Sequence, residues 1–130
     1  MTENNVLKGL KPEGVFKFFG EILSVPRPSK HEAKMTAYLL SWAEARNLEH
    51  QRDEIGNVII RKAATAGYEN KPWVCLQSHM DMVCEKVAGL SFNFDTDPIQ
   101  TEIEGEWMKA KGTTLGADDG IGDAIELAIL

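Results

Sequence analysis

A chain of 130 residues with 43% hydrophobic content is long enough for one modest core and gives no reason to expect two domains. Its 14 Lys and Arg against 20 Asp and Glu leave a formal net charge of -6, which works against phosphate backbones and anionic lipid, so neither nucleic acid nor membrane is an expected partner. The opening MTENNVLKGL lacks a basic segment followed by an apolar one, no apolar run approaches a membrane span, and Cys75 and Cys84 are most simply reduced thiols. The expectation is a soluble cytoplasmic protein.

In chain order, KPEGVFKFFGEILSVPRPS places Val15, Phe18, Phe19 and Ile22 on one helical face, and Pro26 and Pro28 stop the pattern, which predicts a helix over Pro12–Ser24. A second helix follows in SKHEAKMTAYLLSWAEARN, with Ser29 and Glu32 at capping-box spacing and Met35, Leu39 and Trp42 as its core-facing stripe. The period then changes. LEHQRDEIGNVIIRK reads as a hairpin turning at Gly56-Asn57, its first strand too polar to be more than an edge, and the acidic pair Asp53-Glu54 reads as solvated. The continuous apolar run Trp73–Leu76 is of the kind expected for a strand covered on both faces, with Cys75 as a small core residue.

SFNFDTDPIQ is a polar loop punctuated by proline, and TEIEGEWMKAKG reads as a second hairpin with Gly105 at its turn. From about Asp119 onward, Ile121, Ala124, Ile125, Ala128 and Ile129 are spaced as one helical face, with Leu127 and Leu130 adding a second, so this last helix is expected to be buried on more than one side. It has no C-terminal glycine, basic last turn or proline, which makes the sequence look cut at Leu130. Two helices, alternating strands and hairpins, and a final helix give an α/β fold with a mixed central sheet and flanking helices.

The chemistry starts at LQSHMDMVCEK. Residues two apart on a strand share a face, so His79 and Asp81 emerge together at the end of the apolar run while Met80 turns the other way. In an α/β sheet that end faces the ligand crevice. An imidazole there can hold a metal through one nitrogen while a carboxylate fixes the proton on the other, which would make His79 a ligand and Asp81 its orienting partner. The plain alternative is a surface turn in which the triplet caps a helix or hairpin. LGADDGIG adds two acids at a helix start, where the N-terminal dipole and free amides favour ionised carboxylates; one can cap while the other binds. Cys84 has to be considered as a thiolate donor, but no second CxxC or HxxxH accompanies it. His31 and His50 read as exposed. No nucleophile elbow, Walker loop or dinucleotide fingerprint is present.

Taken together, SVPRPSKHEAKMTAYLLSWA, LQSHMDMVCEK, DTDPIQ and GEWMKAKGTTLGADDGIG closely resemble the aminoacyl-histidine dipeptidases, also called cytosolic non-specific dipeptidases, within the co-catalytic di-zinc exopeptidases. The likeness runs from about Pro12 to Leu130 in the same order. It implies a three-layer zinc-exopeptidase sandwich, incomplete here, with residues 1–130 as the N-terminal part of the catalytic domain and the later catalytic portion and the dimerisation or lid domain absent. By position it implies that His79 ligates one zinc, that Asp81 of the catalytic set orients it, and that Asp118 bridges both metals. Asp119, where relatives often carry asparagine, is then a cap or a supporting group.

The remaining machinery that the resemblance implies includes an adjacent glutamate pair, and no Glu-Glu occurs in this chain. Two Zn2+ per complete site are implied, although Co2+ or Mn2+ can share such ligands. The implied substrates are dipeptides, including Xaa-His types, and the implied full-length assembly is a homodimer. On this reading the fragment alone is inactive. A non-catalytic interaction module that keeps the fold, or a related tripeptidase or aminoacylase, are the competing readings.

Overall fold

The computed structural model describes residues 5–130. A short 3-10 turn, Asn5–Leu7, precedes α1 (Glu13–Leu23) and α2 (Ala33–Glu44). Two hairpins follow, β1 (Glu49–Arg52) with β2 (Val58–Arg61) and β3 (Thr101–Glu104) with β4 (Trp107–Ala110), and α3 (Ala117–Ile129) ends the chain. The α/β class holds, as three helices and two separate antiparallel pairs rather than one joined central sheet.

The helices form because their apolar residues recur at helical spacing and find each other. Phe18, Phe19, Ile22 and Leu23 of α1 and Met35, Leu39, Trp42 and Ala43 of α2 are buried in one core with Met82, Ile99, Ala124 and Leu127. A large side chain such as Phe19 or Ile22 contributes roughly 1.5–3 kcal/mol by leaving water. Phe18 meets Trp42 edge to face at 5.5 Å between ring centroids, and the Arg46 guanidinium lies 3.9 Å from the Trp42 ring centre. The first helix is one residue shorter at each end than its sequence pattern, with Pro12 as N-cap and Ser24 as C-cap.

Three expectations are corrected. The capping box of α2 does not form: its N-cap Glu32 makes no side-chain cap, and the Ser29 hydroxyl instead donates to the Asp81 carboxylate, 2.5 Å away. A charged acceptor outcompetes a neutral helix amide for that hydroxyl. The run Trp73–Leu76 joins neither hairpin, and Trp73 and Val74 are 74% and 79% exposed, with Cys75 on the surface. An apolar run specifies that both faces are to be covered but does not supply the cover. In α3 the buried stripe is Gly120, Asp123, Ala124 and Leu127, while Ile125 and Ile129 face outward, so the helix is buried on one side, against α1.

Both hairpins turn where glycine was read, with Gly56 at φ 113° and Gly105 at φ 62°. Asp53 is more than a solvated acid. Its Oδ1 accepts the amides of Ile55, Gly56 and Asn57 at 2.8–3.0 Å, which fastens the turn.

Candidate metal centre

The site is built where three stretches of chain meet. Pro28 bridges Met82 in parallel fashion, and the Met82 amide donates to the Arg27 carbonyl at 3.0 Å, so VPRPS lies alongside the residues that follow His79. The third stretch is the Gly116–Asp119 turn that opens α3. Gly116 has φ 73°, and Asp118 and Asp119, joined by a cis peptide, depart from helical geometry before the regular helix begins. That start agrees with the sequence pattern. Asp119 Oδ1 accepts the Gly122 amide at 3.2 Å, which leaves the Asp118 carboxylate pointing outward.

His79 and Asp118, 39 residues apart, come together: Nε2 lies 2.9 Å from Asp118 Oδ1. The other ring nitrogen, Nδ1, lies 3.1 Å from Asp81 Oδ1. Asp81 in turn accepts the Ser29 hydroxyl through Oδ2. The chain Ser29–Asp81–His79–Asp118 therefore fixes the imidazole from behind and aims its front nitrogen at an open carboxylate. The Asp118 side chain is 97% exposed and His79 half exposed.

The charges follow from these contacts. The hydrogen bond to the Asp118 carboxylate holds the His79 pKa above the ordinary imidazole value; burial opposes it, and Asp81 adds to the rise. The Ser29 hydrogen bond, and then His79, hold Asp81 below the usual carboxylate range. A proton held between Nε2 and Asp118 must leave before the Nε2 lone pair can bind a cation.

An imidazole nitrogen and a carboxylate converging from opposite sides, with a second carboxylate fixing the ring, are donors suited to zinc and to other first-row divalent ions. Their number is small. Among the described residues, no group of three or more His, Cys, Asp or Glu side chains converges as a metal cage. Cys84 is half-buried; its thiol is directed at the Met82 carbonyl, and burial pushes its pKa up, which disfavours a thiolate ligand. His31 sits beside Asp95, and a His50 ring nitrogen lies 2.8 Å from the Leu48 carbonyl oxygen, both apart from this chain of contacts.

A shallow cleft of about 240 Å³, lined by Val83, Thr114, Leu115, Gly116, Ala117 and Asp118, adjoins the pair. A larger hollow of about 400 Å³ between Glu85–Val87 and Ala110–Thr114 contains none of the three site residues, so the smaller one is the relevant space.

Sequence patterns left two groups unnoticed. Arg27, read only as part of a helix stop, is buried and hydrogen-bonded to carbonyls on both sides of the site. Ser78 donates toward Asp123 Oδ1 and Glu126 Oε2, at 2.5 and 2.9 Å. Burial pushes Asp123 up to about 6 and raises Glu126 as well.

No family model matches the chain. The chain is 48% identical over 124 residues to the cytosol non-specific dipeptidase of Escherichia coli (strain K12), covering 95% of this chain and 26% of that one. Among solved structures, the aminoacylhistidine dipeptidase from Vibrio alginolyticus superposes with a TM-score of 0.92 at 49% identity, over 95% of this chain and 25% of the other. The chain thus spans about a quarter of the length of each.

Proposed function

We propose, from the premise that this chain is homologous to a segment of the aminoacylhistidine dipeptidases, that the whole protein is a metal-dependent dipeptidase and that residues 1–130 are the N-terminal part of its catalytic domain. The observation that carries the reading is the 2.9 Å approach of His79 Nε2 to Asp118 Oδ1, with Asp81 on the opposite ring nitrogen. In this role His79 and Asp118 would hold the Zn2+ ions, with Asp118 as the shared ligand, and Asp81 would keep the ring in the tautomer that presents Nε2. Co2+ and Mn2+ suit the same donors. When bound, such ions lower the pKa of a water and polarise the scissile carbonyl.

The chain's own residues orient and hold protons. Ser29 keeps Asp81 ionised and turned toward His79, and Asp81 keeps the Nδ1 proton in place. Asp118 and Asp81 raise the proton affinity of His79, so cation binding is expected to tighten as pH rises through that raised pKa. The exposed Val83 and residues Thr114–Ala117 line the adjoining cleft, the natural seat for a small substrate such as a dipeptide.

With two ligands and no glutamate pair, the 130-residue chain alone is expected to bind zinc weakly or not at all and to hydrolyse nothing. The whole protein is expected to act in the cytosol as a homodimer on dipeptides, Xaa-His types included. The test is hydrolysis of Ala-His by the whole protein. Loss of activity on chelation and in His79→Ala, with activity restored by added Zn2+ only in the wild type, supports the reading. Activity that survives both treatments would overturn it, and a preference for tripeptides would move it to a related peptidase.

A further inference from the structure

Arg27 touches both segments that present the pair. Its Nη1 donates to the carbonyls of Met80 and Asp81, each at 3.2 Å, and its Nη2 to the carbonyl of Gly116 at 2.6 Å. The first two follow His79 directly; the third stands two residues before Asp118. The residue is 1% exposed. Burying a guanidinium costs stability unless it is paired and hydrogen-bonded, and here burial depresses its pKa against the opposing charges of Asp123 and Asp81. An apolar side chain would fill the place without that penalty. A lysine would not supply the rigid fork that reaches two segments at once.

Two glycines leave room for the fork. A Cβ at Gly116 would lie 2.6 Å from Nη2, and one at Gly120 2.5 Å from it. Gly116 also needs its positive φ, but Gly120 has no such need. In a helix, alanine is ordinarily the better residue by about 1 kcal/mol, so the glycine at 120 answers to the guanidinium packed against it.

We infer that Arg27 is the positioning residue of the centre: its guanidinium locks the His79–Asp81 segment to the Gly116–Asp118 turn and so keeps His79 Nε2 facing Asp118 Oδ1. The inference rests on the reading of that pair as a cation site, and Arg27 itself contacts neither cation nor substrate.

The test uses the whole protein, with Zn2+ as the probe, and two readouts: the Zn2+ dissociation constant and the ring-nitrogen NMR signals of His79 at fixed pH in the metal-free protein. Arg27→Met and Gly120→Ala are compared with Leu39→Ala, a core truncation in α2 that loosens the fold without touching the clamp. In Arg27→Met the two His79 nitrogen signals are expected to move toward those of the exposed His31, and Zn2+ affinity to fall on the order of tenfold or more. Gly120→Ala should do the same more weakly, despite its better helix propensity, and Arg27→Lys should restore only part of the loss. Leu39→Ala should leave both readouts in place.

Arg27→Met and Gly120→Ala with His79 signals and Zn2+ affinity within twofold of the wild type would overturn the inference, and so would a Leu39→Ala variant that moves them as far. Should the wild type take up no Zn2+, the cation reading fails, while the His79 signals still decide the clamp. Should Arg27→Met not fold, Gly120→Ala decides by the same readouts, because it removes no polar group.

Discussion

Asp118 and Asp123 lie five residues apart at the start of one helix and live in opposite settings. Asp118 is 97% exposed and faces His79; Asp123 is 5% exposed, with Oδ1 on Ser78 and Oδ2 buried without a hydrogen-bond partner. The outer carboxylate stands in solvent, open to a cation. The inner one is costly to ionise, and its charge serves the buried Arg27 instead. The same residue type thus does two jobs, and burial decides which.

The comparison breaks first at the inner carboxylate. Folding raises Asp123 from 3.8 to about 6, so between those values the native state holds a proton that the unfolded chain has released. Stability therefore falls as pH rises through that window, by about 3 kcal/mol at most, and the loss is complete above pH 6. Asp123→Asn should flatten the curve between pH 4 and 6 and be no less stable than wild type at pH 7, as read by urea unfolding across pH. A wild-type curve already flat through that window would remove the contrast.

At the outer site, Asp81→Asn tests whether orientation matters separately from ligation. It keeps the shape but lets the His79 ring take the wrong tautomer, and a loss of about 10–100-fold in Zn2+ affinity with unchanged melting temperature is expected. The smallest effect belongs to Asp53, whose carboxylate fastens a remote turn. Asp53→Ala should speed hydrogen exchange at Ile55, Gly56 and Asn57 by on the order of tenfold and leave Zn2+ binding untouched.

What could be read beforehand divides along the same line between local and distant causes. Helical spacing found α1 to within one residue at each end and the core stripe of α2, and glycine found both hairpin turns, because those preferences reside in neighbouring residues. Ser29 misled because its spacing to Glu32 satisfies a local rule, whereas its actual acceptor lies 52 residues away. The α3 pattern favoured Ile125 and Ile129 over Asp123, since hydrophobicity alone does not foresee an aspartate drawn inward toward Ser78 and a buried arginine. Trp73–Leu76 advertised a covered strand that these residues by themselves leave bare. The chemistry of His79, Asp81 and Asp118 was visible as residue types and as a resemblance, but Arg27, set between two prolines, gave no sign of the carbonyls it gathers.

The most direct test is a crystal of the whole protein soaked in Zn2+ and examined by anomalous scattering at the zinc edge. A peak within bonding distance of both His79 Nε2 and an Asp118 carboxylate oxygen, with Nδ1 still on Asp81, is the predicted result. An intact direct hydrogen bond between His79 and Asp118 at saturating Zn2+, with no peak between them, would contradict the account.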